Sequence, residues 1–80
     1  MILKEETKEI DGVKIRNILY DSTNVLKSSY NYNTNRLVIS YYRGGVYEYY
    51  DVQHKIYEQI ISEESIGKAI HKYLKQYKFS

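Results

Sequence analysis

The sequence contains no cysteine, no proline and no tryptophan. Without cysteine the chain can form neither a disulfide framework nor a thiolate metal site, which fits a protein of the reducing cytoplasm. No apolar run approaches the roughly 20 residues that a membrane-spanning helix needs. The first six residues include one lysine and two glutamates and do not have the pattern of a signal peptide. These absences predict a cytoplasmic protein without a membrane segment.

Signatures of common enzyme classes are also missing. The chain of 80 residues is one domain, and a domain of this size buries only roughly 60–65% of the surface of its unfolded chain. A large enclosed active site would take the place of hydrophobic core that a domain of this size needs for stability. The sequence has no Walker loop and no Rossmann glycine fingerprint. We therefore expect a binding module rather than an enzyme, and no cofactor.

Positive charge is concentrated near the C-terminal end of an almost neutral chain. The formal net charge is +2. Residues 1–12 hold two lysines against four acids. From Ser65 onward there is no acid, and the four lysines are Lys68, Lys72, Lys75 and Lys78. A basic C-terminal segment suggests an anionic partner.

Tyrosine is unusually frequent: there are 11 tyrosines beside one phenylalanine. A tyrosine ring packs like phenylalanine but keeps a hydroxyl that needs water or a partner. The tyrosines therefore either replace phenylalanine in a thin core or form a binding surface of exposed rings.

The N-terminal third predicts a β-hairpin. Asp11-Gly12 is typical of a two-residue turn with positive φ at both positions. Val13 and Ile15 alternate with charged residues, as in a strand with one buried face. A disordered N-terminal segment is the alternative.

Three further strands form a meander in the middle of the chain. They are predicted at 25–30, 36–42 and 46–50. An asparagine-rich turn at 31–35 and an Arg43-Gly44-Gly45 loop separate them. In the second strand Leu37, Ile39 and Tyr41 share one face, which we expect to be the inner one.

After residue 50 the spacing of the apolar residues changes from that of strands to that of helices. Asp51 is predicted to cap a first helix in which Val52, Ile56, Tyr57, Ile60 and Ile61 recur at helical spacing. Residues 62–65 interrupt the pattern, and Ser62 or Ser65 can cap the next helix. Its apolar stripe consists of Ile66, Ala69, Ile70, Tyr73, Leu74 and Tyr77. The predicted fold is α+β: an antiparallel meander of three strands plus an N-terminal hairpin, packed against two C-terminal helices.

Residues 22–77 resemble the KTSC domain, which is named for a C-terminal extension of some lysyl-tRNA synthetases. The resemblance rests on the order and spacing of Ser22-Thr23-Asn24, Tyr30-Asn31, Gly44-Gly45, Tyr47-Glu48-Tyr49, Asp51-Val52, Tyr57 and Ser65-Ile66-Gly67. It implies a single domain over 1–80, with a family-like core at 22–77 and an N-terminal hairpin extension at 1–20. The synthetase association implies RNA binding. The chain departs from the family at Asn31, usually aspartate, and at Ala69, Ile70 and His71, where aromatic residues and an asparagine are usual.

Two groups of side chains are candidates for nucleic-acid binding. Tyr47 and Tyr49 share one face of the third meander strand and could stack bases, unless that face lies under the helices. Lys68, Lys72 and Lys75, together with Arg43 at a loop tip, could contact phosphates. The alternative for the lysines is a solvated helix face.

The start of the second helix is a third candidate. Ser65 and Gly67 leave free amide N–H groups there, and Lys68 adds a cation, so this segment could bind an anion. The alternative is a simple cap.

Metal and catalytic sites have little support. His54 and His71 are the only histidines, and no carboxylate is spaced to complete a metal shell with them. Asp21, Ser22 and His71 could form a hydrolytic triad, but no nucleophile elbow accompanies them.

Three functions remain open. The first is a non-catalytic module that binds RNA, other nucleic acid or a nucleotide phosphate. The second is a protein-interaction module that uses exposed strand edges to self-associate or to bind a partner, as a phage or mobile-element protein that sequesters a host factor would. The third is a small hydrolase.

Overall fold

The computed structural model describes residues 2–80 and confirms the α+β class. Five strands and two helices follow in order: β1 Ile2–Ile10, β2 Val13–Tyr20, β3 Val25–Asn31, β4 Arg36–Tyr41, β5 Gly45–Tyr49, α1 His54–Ser62 and α2 Ile66–Leu74. The strands form one antiparallel sheet in sequence order. No helix in this part of the chain is long and apolar enough to span a membrane.

The N-terminal hairpin is present as predicted. Asp11 and Gly12 connect β1 to β2 with φ values of 52° and 81°. Positive φ at both positions is what a type I′ turn requires. The hairpin pairs Ile10 with Val13 and continues to Ile2 opposite Tyr20, with an irregularity between Ile2 and Lys4.

One face of the sheet forms the core together with the helices. Leu37 and Ile39 lie on this face, and both are almost fully buried, so the predicted inner face is confirmed. The other buried hydrophobic residues are Ile18, Tyr20, Val25, Tyr30, Tyr49, Val52, Tyr57, Ile60, Ile66, Ala69, Ile70 and Leu74. Within residues 2–80 both helices pack on this face of the sheet.

The tyrosines divide between core and surface. Tyr20, Tyr30, Tyr49 and Tyr57 are buried. Tyr42 and Tyr50 are exposed, and the remaining five are half-buried. Replacement of phenylalanine therefore explains the core rings and leaves the exposed ones unexplained.

The two helices begin differently. Ser65 caps α2, because its Oγ accepts a hydrogen bond from the Lys68 amide at 3.3 Å. The capping role predicted for Asp51 was wrong: α1 begins after Gln53, whose side chain makes no capping bond. Asp51 adopts φ 58° and belongs to the turn that leads into the helix.

The predicted stripe on α2 packs against the sheet. Ile66, Ala69, Ile70 and Leu74 are buried along it. The helix ends at Leu74, so Tyr77, the last member of the stripe, lies in the segment that follows.

The C-terminal segment covers one edge of the sheet. The Ser80 and Glu48 backbones exchange hydrogen bonds of 2.8 and 3.0 Å, and Phe79 forms a bridge with Tyr49. The outer edge of β1 has no such cover within residues 2–80.

Three loops meet at one end of the molecule. The β2–β3 and β4–β5 loops are neighbours because Val25 pairs with Tyr41, and the Tyr42 amide donates to the Asn24 carbonyl at 3.1 Å. The α1–α2 loop lies against the first of them, since Ser22 and Ser65 line a common cleft. This end holds the candidate site.

Candidate nucleic-acid interface

A cleft separates the β2–β3 loop from the N-terminal half of α2. Its volume is about 410 Å³, and Ser22, Asn24, Gly67, Lys68 and His71 are among the residues that line it. A second cleft of about 270 Å³ continues along α2 to Lys75 and shares Asn24, Gly67 and His71 with the first. We call the two together the α2 groove, defined by Ser22, Asn24, Gly67, Lys68, His71 and Lys75.

The loop wall of the groove is held by its own hydrogen bonds. Ser22 Oγ accepts from the backbone amides of Asn24 at 3.2 Å and Val25 at 3.1 Å, a serine turn that fixes the loop where β3 begins. On the helix side, a Cβ added to Gly67 would lie 3.9 Å from Asn24 Nδ2, an ordinary contact. Packing therefore does not require glycine here, but its small size leaves the groove open.

The cations of the groove have no carboxylate partners. Across residues 2–80 the ion pairs join Lys8 to Glu6, Arg16 to Glu5 and Glu58, and Arg36 to Glu48. Lys68 and Lys75 take part in none of them, and both are exposed. Their charges are available to an external anion.

The acids near the groove lie at one end of it. Asp21 and Glu64 line an adjoining cleft with Ser65. The Ser65 hydroxyl accepts from the Lys68 amide, so one of the first amides of α2 is already satisfied. Ser65 is thus a cap, and positive charge dominates from Lys68 toward Lys75 rather than at the helix start.

The more exposed of the two tyrosines that line the second cleft is Tyr41, and its phenol is neutral. Tyr41 lies half-buried in the second cleft. Burial raises the pKa of its hydroxyl. Tyr41 therefore adds no negative charge to a surface whose other side chains favour an anion.

Arg43 lies in the β4–β5 loop, beside the β2–β3 loop that forms one wall of the groove, and lines neither of the two clefts. It follows Tyr42, whose amide is bonded to Asn24, and its side chain is exposed. Tyr42 itself is 54% exposed. The structure thus places Arg43 at the same end as Lys68, although the two are distant in sequence.

Three other predicted residues do not offer a free side chain to the groove. Tyr49 borders the second cleft, but it is only 8% exposed, so its ring is part of the core and cannot stack a base. Tyr47 is half-buried and packs edge-on against Tyr41 and Phe79, with ring centroids 5.5 and 5.3 Å away. Lys72 Nζ lies 5.1 Å from the ring centroid of Tyr73 and does not line the groove.

Sequence reasoning did not assign four residues to a binding site. Ser22, Asn24 and His71 line the groove, and Tyr42 is an exposed ring in the neighbouring β4–β5 loop. The sequence offers Ser22 and His71 only as members of a hydrolytic triad, and Asn24 only as a family feature. Its proximity to α2 depends on how the sheet and helices pack, which a local pattern does not contain.

Two residues of the predicted hydrolytic triad meet in the groove. Ser22 and His71 line the same cleft, but no hydrogen bond joins them, and Ser22 Oγ instead accepts from two backbone amides. A serine nucleophile needs a base within hydrogen-bond reach. Among the described residues no three histidine or acidic side chains come together as a metal site.

Comparison with protein families gives a match to the KTSC domain over residues 14–79. The chain belongs to the KTSC domain family. The match begins within β2, so β1 and its turn precede it. The resemblance noted at Ser22-Thr23-Asn24 and Ser65-Ile66-Gly67 falls within the matched residues, and both segments line or border the α2 groove.

A solved structure supports the same fold. The crystal structure of a KTSC domain protein from Yersinia pestis superimposes with a TM-score of 0.72 and 17% sequence identity, and the alignment covers 96% of each chain. At this identity the likeness concerns the fold. Comparison with the curated proteins gives no match.

Proposed function

We propose that this KTSC domain is a non-catalytic module that binds single-stranded nucleic acid in the α2 groove. The observation that carries the proposal is the line of cationic side chains without carboxylate partners along the groove, from Lys68 to Lys75. A nucleic-acid strand supplies anions at regular intervals, and each phosphate that is neutralised releases counterions into solution.

Phosphate contacts come from the helix side of the groove and from the β4–β5 loop. Lys68 on α2 and Lys75, which directly follows the helix, lie seven positions apart, about 10 Å along a helix axis. They therefore contact different phosphates of one strand. Arg43 on the loop side adds a guanidinium, which binds phosphate with two parallel hydrogen bonds. The strand follows the helix rather than crossing it.

We assign the base contacts to Tyr42 and to the polar side chains of Asn24 and His71. Stacking of one base on an exposed ring is worth about 1–3 kcal/mol, and Tyr42 is 54% exposed beside Arg43. The side-chain amide of Asn24 and the imidazole of His71 can both donate and accept hydrogen bonds. This division of roles gives affinity from phosphates and a weak preference from bases.

The shape of the groove favours a strand over a mononucleotide. Its two clefts are shallow, open and continuous along α2. A mononucleotide site usually encloses most of its ligand. An open groove instead makes many contacts with a long ligand and few with a short one.

The test is a fluorescence anisotropy titration of labelled single-stranded RNA and DNA oligomers, with free nucleotides as competitors, at two salt concentrations. With three phosphate contacts, log K should fall against log salt with a slope of about −2. Lys68→Ala and Lys75→Ala should each reduce the magnitude of the slope by about 0.7.

Lys55→Ala is the matched control. Lys55 is an exposed lysine on α1, outside the groove, so its removal changes net charge equally and should leave the slope unchanged. Equal effects of all three substitutions would indicate attraction by net charge alone. The absence of binding at about millimolar concentration in low salt would end the proposal.

A further inference from the structure

One edge of the sheet is a long strand without a neighbour. β1 has nine residues, and residues 3–10 are all exposed. In residues 2–80 no backbone group bonds to its outer side. The opposite edge, β5, is covered by the C-terminal segment through the Glu48–Ser80 bonds. An uncovered strand presents a row of N–H and C=O groups that another strand can pair with.

We propose that β1 pairs antiparallel with β1 of a second copy, which joins two five-stranded sheets into one. Such a dimer has a two-fold axis perpendicular to the sheet. Two residues that lie directly opposite each other in paired strands have their side chains on the same face of the sheet. The two-fold axis therefore passes beside one residue of β1, which lies opposite the same residue of the second copy. Each choice of this central residue defines one allowed register.

The charge pattern favours the registers that set lysines opposite glutamates, and one of these is centred on Thr7. That register sets Glu6 opposite Lys8 of the second copy, and Lys8 opposite Glu6, so two ion pairs form across the interface. A register centred on Glu6 sets Lys4 opposite Lys8 twice and Glu6 opposite itself. A register centred on Glu5 also forms two ion pairs, between Lys4 and Glu6, and sets Glu5 opposite itself.

The regularity of the strand decides between the registers centred on Thr7 and on Glu5. Centring on Thr7 pairs residues 4–10 of each copy, which lie beyond the irregularity between Ile2 and Lys4. The registers centred on Glu5 and Glu6 both extend into that irregular segment. The regular part of the strand is therefore the part that the selected register uses.

Two symmetry-related like-charge contacts remain, and each glutamate in them lies near a cation of its own chain. The register sets Glu5 opposite Glu9 on the helix side of the sheet. Arg16 Nη2 lies 3.2 Å from Glu5 Oε2, and Lys14 lies opposite Glu9 in the β1–β2 register. These cations reduce the repulsion between the two glutamates.

The charges of β1 could instead serve only to prevent pairing, as lysines on edge strands often do. Charges that only prevent strand pairing need not be complementary to a second copy, however. An edge strand with charges of one sign would prevent pairing better. The alternation of Lys4, Glu6 and Lys8 on one face instead matches a second copy in the registers that set lysine opposite glutamate.

Sedimentation equilibrium from about 10 μM to about 1 mM tests the proposal. The apparent mass should rise from the 9.6 kDa of one chain toward twice that value. Lys8→Glu and Glu6→Lys should each weaken the dimer about tenfold, because each turns two ion pairs into two like-charge contacts. The double variant restores both pairs and should return the dissociation constant to within about threefold of the starting value.

Lys55→Glu on α1 makes the same charge change outside the sheet and should leave dimerisation unaltered. Circular dichroism of each variant confirms that it is folded. A monomer at every concentration would overturn the proposal. So would a dimer that Lys8→Glu leaves unchanged or tightens, or a double variant as weak as the single ones.

Discussion

Tyr30 and Tyr57 stack face to face in the centre of the core, with ring centroids 4.0 Å apart and planes 8° from parallel. Tyr30 comes from β3 and Tyr57 from α1, so this contact fixes the helix against the sheet. Their hydroxyls differ. The Tyr30 hydroxyl donates to the Val52 carbonyl, whereas the buried Tyr57 hydroxyl has no hydrogen-bond partner within residues 2–80.

The two hydroxyls predict opposite effects of the same substitution. Tyr57→Phe removes an unpaired buried polar group and should leave the free energy of unfolding unchanged or raise it by up to about 1 kcal/mol. Tyr30→Phe leaves the Val52 carbonyl without its donor and should lower it by about 1–2 kcal/mol. Urea unfolding of both variants measures the difference. An equal loss of unfolding free energy in both variants would show that the Tyr57 hydroxyl has a hydrogen-bond partner.

Alkaline pH should destabilise the fold. Burial raises the pKa of Tyr20 and of Tyr30 to about 12, against about 10 in the unfolded chain. Below pH about 10 both phenols are protonated in both states, so they give no pH dependence there. Between pH about 10 and about 12 only the unfolded chain releases these protons, and stability falls as pH rises.

Urea unfolding at a series of pH values, with tyrosinate absorbance recorded in parallel, tests this expectation. Tyr20→Phe should make the decline of stability between pH about 10 and about 12 less steep, because one phenol with a raised pKa is removed. A stability that stays constant through this range would contradict the burial of these two phenols.

The two helix starts give a pair of opposite predictions. Ser65→Ala removes the hydroxyl that accepts from the Lys68 amide and should cost about 1 kcal/mol of stability. Gln53→Ser supplies a capping hydroxyl where α1 has none and should add about 0.5–1 kcal/mol. Thermal unfolding by circular dichroism compares both variants with the parent chain. A stabilising Ser65→Ala would contradict the capping role.

The elements of the fold were predictable where the signal is local. Asp11-Gly12 specifies its turn through backbone φ, and the alternation around Leu37 and Ile39 identifies a strand with one buried face. The spacing of Ile66, Ile70 and Leu74 predicts an amphipathic helix. The structure confirms each, because in each case packing requires the same period that the sequence shows.

Predictions were wrong or incomplete where the cause is not local. Asp51 has the chemistry of a cap, but the chain takes positive φ at this residue and α1 begins after Gln53. Tyr49 alternates as a surface residue could, yet the C-terminal segment and the helices bury it. Arg16 also gave no signal in advance, although it joins β1 and α1 through Glu5 and Glu58.

The candidate site was predictable only in part. The lysine spacing on α2 was visible in the sequence, and Lys68 and Lys75 do line the groove. The other wall comes from residues more than forty positions earlier, at Ser22 and Asn24. Only the antiparallel order of the sheet and the packing of α2 bring the two walls together, and no periodicity encodes that distance.

The central claim is that the α2 groove holds a nucleic-acid strand, and a residue-resolved titration tests it most directly. Amide chemical shifts of isotope-labelled protein should be followed as single-stranded RNA is added. We predict that the largest changes lie at 22–24, 42–43 and 65–75, and that Lys68→Ala reduces them. Changes concentrated at β1 or on the open face of the sheet, or none at all, would contradict the account.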